Sequence, residues 1–314
     1  MKANAIVRIL IWSLVLVILI GVLTSFISEE LYLNNYSVSV TEPLIHATEP
    51  PVIAMPNEES LTFDPAAIQE IDINWVSGDI FIMATKVDKI TVSESDVTNS
   101  KYAMVYQKKG DKLEIDFCEE AIQTGFGVSF SADISKDLYI EVPKDWVGHS
   151  IELNVASADV ELHNITLLEM DIDGASGTCD FLKCDIRDLD IDTASGDVYF
   201  EGSLNTLDFD AASASFVGEF TNTPSRIDMD GMSGSLDISL PEDCGFIVSM
   251  EGMSRRLNSD FYGTEMRNGS HVYGDGRCRI DVDGMSCDVT IRKTETFYID
   301  PTEETAAPEE ATTP

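Results

Sequence analysis

One short pattern recurs through most of this chain and limits what it can fold into. Residues 227–238 read IDMDGMSGSLDI, residues 189–200 read LDIDTASGDVYF, and residues 280–291 read IDVDGMSCDVTI. Each copy alternates apolar and acidic residues, passes a small-residue corner that contains a serine, and then alternates again. The corner serines are Ser77, Ser157, Ser176, Ser195, Ser213, Ser233, Ser254 and Ser286. From Ser157 onward they are spaced by 19, 19, 18, 20, 21 and 32 residues, and Ser77 precedes Ser157 by 80. A period near twenty with strand alternation is the mark of a stacked repeat, in which no copy can bury its apolar face alone.

In a strand, successive side chains point to opposite faces, so the aliphatics of I-D-I-D share one face and the aspartates the other. Stacking the copies pairs each backbone with its neighbours and closes an aliphatic core. Glycines two residues before the serine (Gly174, Gly231, Gly252, Gly284) or just after it (Gly177, Gly196, Gly234) suit a tight corner that needs positive φ or close backbone approach. The expected fold is all-β: a single-stranded parallel β-solenoid, β-helix-like, with about 19–20 residues per coil. One N-terminal transmembrane helix precedes it.

That helix is read from Ile9 to Ile27, an uncharged and mostly aliphatic run with Lys2 and Arg8 before it and Glu29 and Glu30 after it. The length suits a bilayer crossing, and the flanking charges place the N-terminus in the cytoplasm and the body outside. A cleaved signal peptide is the competing reading, and it too exports the body. The expected organisation is a membrane anchor over 1–30, a proline-containing spacer over 31–60 and the repeat domain over 61–293. Within the repeat domain a hairpin insertion falls at about 100–136, signalled by Lys108-Lys109-Gly110-Asp111. Residues 294–314, rich in Thr, Glu, Pro and Ala, are expected to form a disordered acidic tail.

Lys+Arg number 20 against 56 Asp+Glu, a net charge of −36, which argues against nucleic acid or anionic lipid as partner. Stacking turns the outward acids into columns. One holds Asp72, Asp171, Asp190, Asp208, Asp228 and Asp281, and the other Asp173, Asp192, Asp210, Asp230 and Asp283. Like charges opposite one another are destabilising, which invites cations between them, and Ca²⁺ is the candidate because it takes several carboxylate oxygens. A solvated acidic face is the preferred reading. A strand presents carboxylates in a flat row rather than a cage, and the glycine-rich nonapeptide of calcium solenoids is missing. No metal site or cofactor is therefore assigned.

Six cysteines (Cys118, Cys179, Cys184, Cys244, Cys278, Cys287) give no disulfide framework and no C-x-x-C pair; most read as buried small hydrophobes, with Cys278 and Cys287 the one candidate pair. His46, His149, His163 and His271 share no column, so the corner serines lack the adjacent base a nucleophile needs. No catalytic residue is assigned and the chain is not read as an enzyme. The aromatics Trp75, Phe81, Tyr199, Phe200, Phe209, Phe216 and Phe220 read as packing rather than a sugar-stacking strip. Met232, Met253 and Met285, beside the corner serine, read as core filling.

With these motifs in view, the chain resembles the bacterial putative-adhesin family of β-strand-repeat domains. The matching residues are Ser77-Gly78-Asp79, Ser195-Gly196-Asp197, Leu138 to Pro143 and Tyr273-Gly274-Asp275-Gly276. Ser-Ala-Asp at 157–159, Ser-Ala-Ser at 213–215 and Ser-Cys-Asp at 286–288 depart from the pattern. The resemblance implies a membrane-anchored, extracytoplasmic β-solenoid that meets an envelope or surface protein or polysaccharide. A cell-envelope stress sensor that binds a cationic ligand or antimicrobial peptide is the alternative. A polysaccharide-active enzyme rests on fold analogy alone.

Overall fold

The computed structural model describes residues 52–53, 60–95, 102–119, 135–266 and 269–294. The run Ile9–Ile27, most of the spacer and the tail from 295 lie outside the described residues. Among the described residues no helix is long and apolar enough to cross a membrane.

The chain is all-β. Its strands are β1 (Val52–Ile53), β2 (Leu61–Phe63), β3 (Glu70–Ser77), β4 (Ile80–Thr85), β5 (Ile90–Glu94), β6 (Val105–Lys109), β7 (Lys112–Asp116), β8 (Leu138–Pro143) and β9 (Val147–Ser157). They continue with β10 (Val160–His163), β11 (Thr166–Ser176), β12 (Cys179–Phe220), β13 (Arg226–Leu240), β14 (Phe246–Glu251), β15 (Ser254–Ser259), β16 (Gly263–Glu265), β17 (His271–Tyr273) and β18 (Cys278–Lys293). A 3₁₀ turn, Pro65–Ala67, lies between β2 and β3.

Parallel ladders join equivalent positions of the repeat. Ile71 of β3 pairs with Ile151 of β9, Ile151 with Met170 of β11, and Met170 with Leu189 of β12. Beyond the corner, Ile80 pairs with Val160 and Val160 with Cys179. The hydroxyl of Thr206 donates to Asp188 at 2.5 Å, which ties the next copy 18 residues on. β12 then pairs with β13, and β13 with β18.

Two features depart from a single-stranded parallel stack. Sequence order is broken at the C-terminal end, where the Ser286 copy (β18) lies between the Ser233 copy (β13) and the Ser254 copy (β14 and β15). Residues 261–277 make this crossover, and their hairpin β16–β17 pairs antiparallel with β14. The N-terminal end is antiparallel as well. There β6 turns back onto β7, β2 onto β5 and β5 onto β8, while β7 and β8 themselves run parallel to β3 and β4. The hairpin in the 100–136 insertion thus supplies a strand of the stack. β1, in the stretch expected to be spacer, pairs antiparallel with β6.

Alternation fixes the core. Ile71, Ile151, Met170, Leu189, Leu207, Ile227 and Ile280 form one buried column, and Ile80, Val160, Val198, Phe216, Leu236 and Val289 form another on the far side of the corner. Trp75, Phe200, Phe209, Phe216 and Phe220 are buried, while Phe81 is half-buried and Tyr199 exposed. Gly196 shows why the corner favours glycine. Its φ is +141°, and a Cβ there would lie 1.9 Å from the carbonyl oxygen of Gly177 in the adjacent copy.

Candidate functional site: the acidic columns

The outward aspartates line up as their spacing requires. In the column five residues before the serine, Asp72 pairs with Glu152, Glu152 with Asp171 and Asp171 with Asp190. Further along, Asp208 pairs with Asp228 and Asp228 with Asp281. Two residues nearer the corner runs the second column. Asn74 pairs with Asn154, Asn154 with Asp173, and Asp173 with Asp192; Asp210 pairs with Asp230, and Asp230 with Asp283. The structure extends the columns with Glu152 and, at the far end, Glu251 opposite Asp283. It also places asparagine at two rungs of the second.

Cations meet these columns at their ends. Lys112 lies 2.8 Å from Asp72 and 3.7 Å from Glu152, Arg279 lies 2.8 Å from Asp281, and Arg226 pairs with Asp228. Between them, Asp171, Asp173, Asp190, Asp192 and Asp210 have no ion pair among the described residues. The consequence is a set of carboxyls that resist ionisation. Burial between neighbouring strands, then repulsion from Asp230, Asp192, Asp208 and Asp190, pushes Asp210 up to about 7. Burial and the neighbouring aspartates push Asp190 and Asp230 up to about 6, and they raise Asp171, Asp192 and Asp208 as well. Among the described residues no three His, Cys, Asp or Glu side chains converge in an arrangement that could hold a metal ion.

The corner beside the columns differs from its sequence reading. Met232, Met285 and Met253 are 39%, 53% and 87% exposed, so they do not fill the core. At the corner the alternation slips: the residue two before the serine points inward at Trp75, Val155 and Ala211, as does the one after it at Ala158, Ala214 and Cys287, while the Ser254 corner, with Gly252 and Arg255 both exposed, does not follow. The residue just before the serine and the serine itself both point outward. That outward apolar position holds Ala175, Ala194, Ala212, Met232, Met285 and Met253, all exposed. On the other side of the serines lies an open furrow of about 410 Å³, lined by Asp197, Ser213, Ser215, Ser233, Ser235 and Asp288 among others, with no histidine in its wall.

The remaining candidates are dispersed. All six cysteines are buried and free, Cys278 and Cys287 included. His163 approaches Glu161 at 3.2 Å, His149 is exposed, His271 is half-buried and His46 lies outside the described residues. Sequence reading missed Lys136, which no periodicity marks. It is buried, with its ammonium 2.5 Å from Glu94 and from the carbonyl oxygen of Phe117, 2.8 Å from that of Tyr102, and over the rings of Trp75 and Phe117. Burial lowers its pKa, against the pull of Glu94. Trp75 returns a hydrogen bond from Nε1 to the Lys136 carbonyl oxygen at 2.9 Å, closing a knot over the N-terminal end of the stack.

Two overlapping stretches, residues 68–215 and 149–292, match the model of the Toastrack DUF4097 family. The chain belongs to that family. The two matches begin 81 residues apart, close to the 80 that separate Ser77 from Ser157, so the Toastrack repeat fits this chain in two registers. No curated protein matches the chain. Among solved structures it is similar to a putative cell adhesion protein from Clostridium sporogenes ATCC 15579, with 13% identity over 76% of this chain and 99% of that one and a TM-score of 0.38. It is also similar to a putative adhesin from Bacteroides fragilis NCTC 9343, with 13% identity over 76% and 99% and a TM-score of 0.43. A third is a putative lipid binding protein from Parabacteroides distasonis ATCC 8503, with 16% identity over 74% and 96% and a TM-score of 0.37. Likeness at this level speaks to neither ligand nor activity.

Proposed function

We propose that this Toastrack chain is a non-enzymatic, adhesin-like interaction module, held at the membrane by Ile9–Ile27 and presenting a β-solenoid of about 19–20 residues per coil outside the cell. The observation that supports it most is the pair of in-register acidic columns whose central rungs lack cations. Such a face costs folding stability, and its field concentrates cationic partners from solution. Strand spacing repeats the charge at about 4.8 Å, so a polymeric or repetitive partner engages many rungs at once.

Two measurements test this reading. Binding of the full chain to immobilised polylysine and to polyglutamate is compared across a salt series. Selective, salt-sensitive capture by polylysine that weakens in Asp192→Asn/Asp210→Asn is expected. Capture that is absent, or that the double variant leaves unchanged, sinks the proposal for this face. Protease added to intact cells should remove the body of the chain, and protection until lysis would refute its outward location.

A further inference from the structure

The apolar column at the corner is the part of the surface that the acidic reading leaves unused. Ala175, Ala194, Ala212, Met232, Met285 and Met253 occupy successive strands in space, in an order that follows stacking rather than sequence. Register pairs bracket the methionines: Gly231 with Gly284, Ser233 with Ser286, and Ser254 with Ser286. Five strand intervals of about 4.8 Å give the ridge a length of about 24 Å, which about 16 residues of α-helix span. Two residues along each strand, about 7 Å away, runs the second acidic column, with Asp192, Asp210 and Asp230 beside Ala194, Ala212 and Met232.

We infer that this ridge and its flanking carboxylates form a docking site for a basic amphipathic helix. The helix lies along the stack, with its apolar stripe on the alanines and methionines and its Lys or Arg side chains over the second column. The charge pattern selects this occupant. A second copy of the chain would bring a net charge of −36 against the same sign, and an anionic lipid surface would be repelled. Methionine side chains are unbranched and polarizable, and they fit varied apolar faces. Alanines at one end leave room for a helix to come close, and the methionines fill the space at the other. The far end is marked by Arg255, two residues past Met253, whose guanidinium donates to the carbonyl oxygen of Met250; its positive charge disfavours a basic side chain there and leaves the central carboxylates to meet the partner's charges.

The inference rests on the acidic columns being an interaction face, and the test separates the two. The full chain in phosphatidylcholine nanodiscs is titrated into a fluorescein-labelled amphipathic Leu/Lys peptide and into a Ser/Lys peptide of equal charge and length, with empty nanodiscs as blank. Fluorescence anisotropy should show the Leu/Lys peptide bound about tenfold more tightly. Met232→Ser/Met253→Ser/Met285→Ser, all at exposed positions, should bring that affinity down to the Ser/Lys value without changing Ser/Lys binding. Asp192→Asn/Asp210→Asn should weaken both. Equal affinity for the two peptides, or a preference that survives the triple serine variant, overturns the ridge while leaving the acidic face intact. Failure to bind either peptide overturns both. Self-association in sedimentation that the triple variant abolishes would assign the ridge to a second copy and overturn the inference as well.

Discussion

Asp210→Asn should stabilise this protein most above neutral pH, with an effect that shrinks as pH falls toward about 4. In the folded chain Asp210 is crowded between strands and faces Asp230 in register, and its pKa stands at about 7. In the unfolded chain it returns to about 3.9. Between those two values the folded state holds a proton that the unfolded state has released. Stability therefore falls as pH rises through this window, and above it the full penalty is present. Taken at face value the shift is worth about 4 kcal/mol, but Asp210 reaches solvent, and screening cuts this to about 1 kcal/mol. For a repeat domain of this size that corresponds to about 2–4 °C in Tm. Scanning calorimetry of the full chain at fixed ionic strength should thus show Tm rising from about pH 8 to about pH 5, as Asp190, Asp210 and Asp230 take up protons. Asp210→Asn should raise Tm more at about pH 8 than at about pH 5. Asp88→Asn, which removes the same charge from an exposed turn, serves as the control for net charge and should change little. A Tm that climbs with pH over this range, or an Asp210→Asn effect no larger than that of Asp88→Asn, would refute the reasoning.

Three further outcomes follow from the same structure. Gly196→Ala should lower stability by about 2–3 kcal/mol, because the new methyl group meets the Gly177 carbonyl and the φ of +141° strains an L-residue, and thermal melting reads the loss directly. Lys136→Met should cost about 3 kcal/mol by stranding Glu94 in a buried setting, with amide exchange rising first in β7 and at residues 102–104; Lys136→Met/Glu94→Gln should recover part of it. Burial pushes the thiols of Cys179 and Cys278 up to about 12 and that of Cys184 up to about 11, so iodoacetamide at mildly alkaline pH should spare them in the native protein and label them in denaturant.

How much of this was legible in the sequence depends on whether a feature is local to one copy. Alternation is local, and it placed Ile191, Phe209 and Met229 inside and Asp192, Asp210 and Asp230 outside without any knowledge of neighbours. Stacking order is not local. The Ser254 copy precedes the Ser286 copy in the chain and lies beyond it in space, because residues 261–277 turn back and let β18 pair with β13. Nothing in a repeat of near-identical copies records which edge each will meet. Lys136 belongs to the insertion, where no period exists, and its partners Glu94, Tyr102 and Phe117 are brought together only by the antiparallel cap. The methionines misled for a subtler reason. Their apolar character outweighed their phase: counted from Ile227, Met229 and Gly231 on the inward side, Met232 already falls outward, and the period slips only at the serine that follows.

That slip also bears on why the acids are there. In-register aspartates weaken a ladder by about 0.2–1 kcal/mol per opposed pair, and the fold does not require them. The chain itself demonstrates this: Asn74 and Asn154 occupy the second column in the first two copies, with the same backbone register and the same buried flanks. Lys112 neutralises part of the first column at that end as well. From Asp173 to Asp283 the second column is acidic at every rung, and over those same copies the corner position passes from alanine to exposed methionine. Opposed like charges and exposed apolar surface, each unfavourable alone, are thus brought together along one edge of the stack. Stability alone would favour neither the opposed acids nor the exposed methionines, whereas a surface that meets a basic amphipathic partner needs the two side by side.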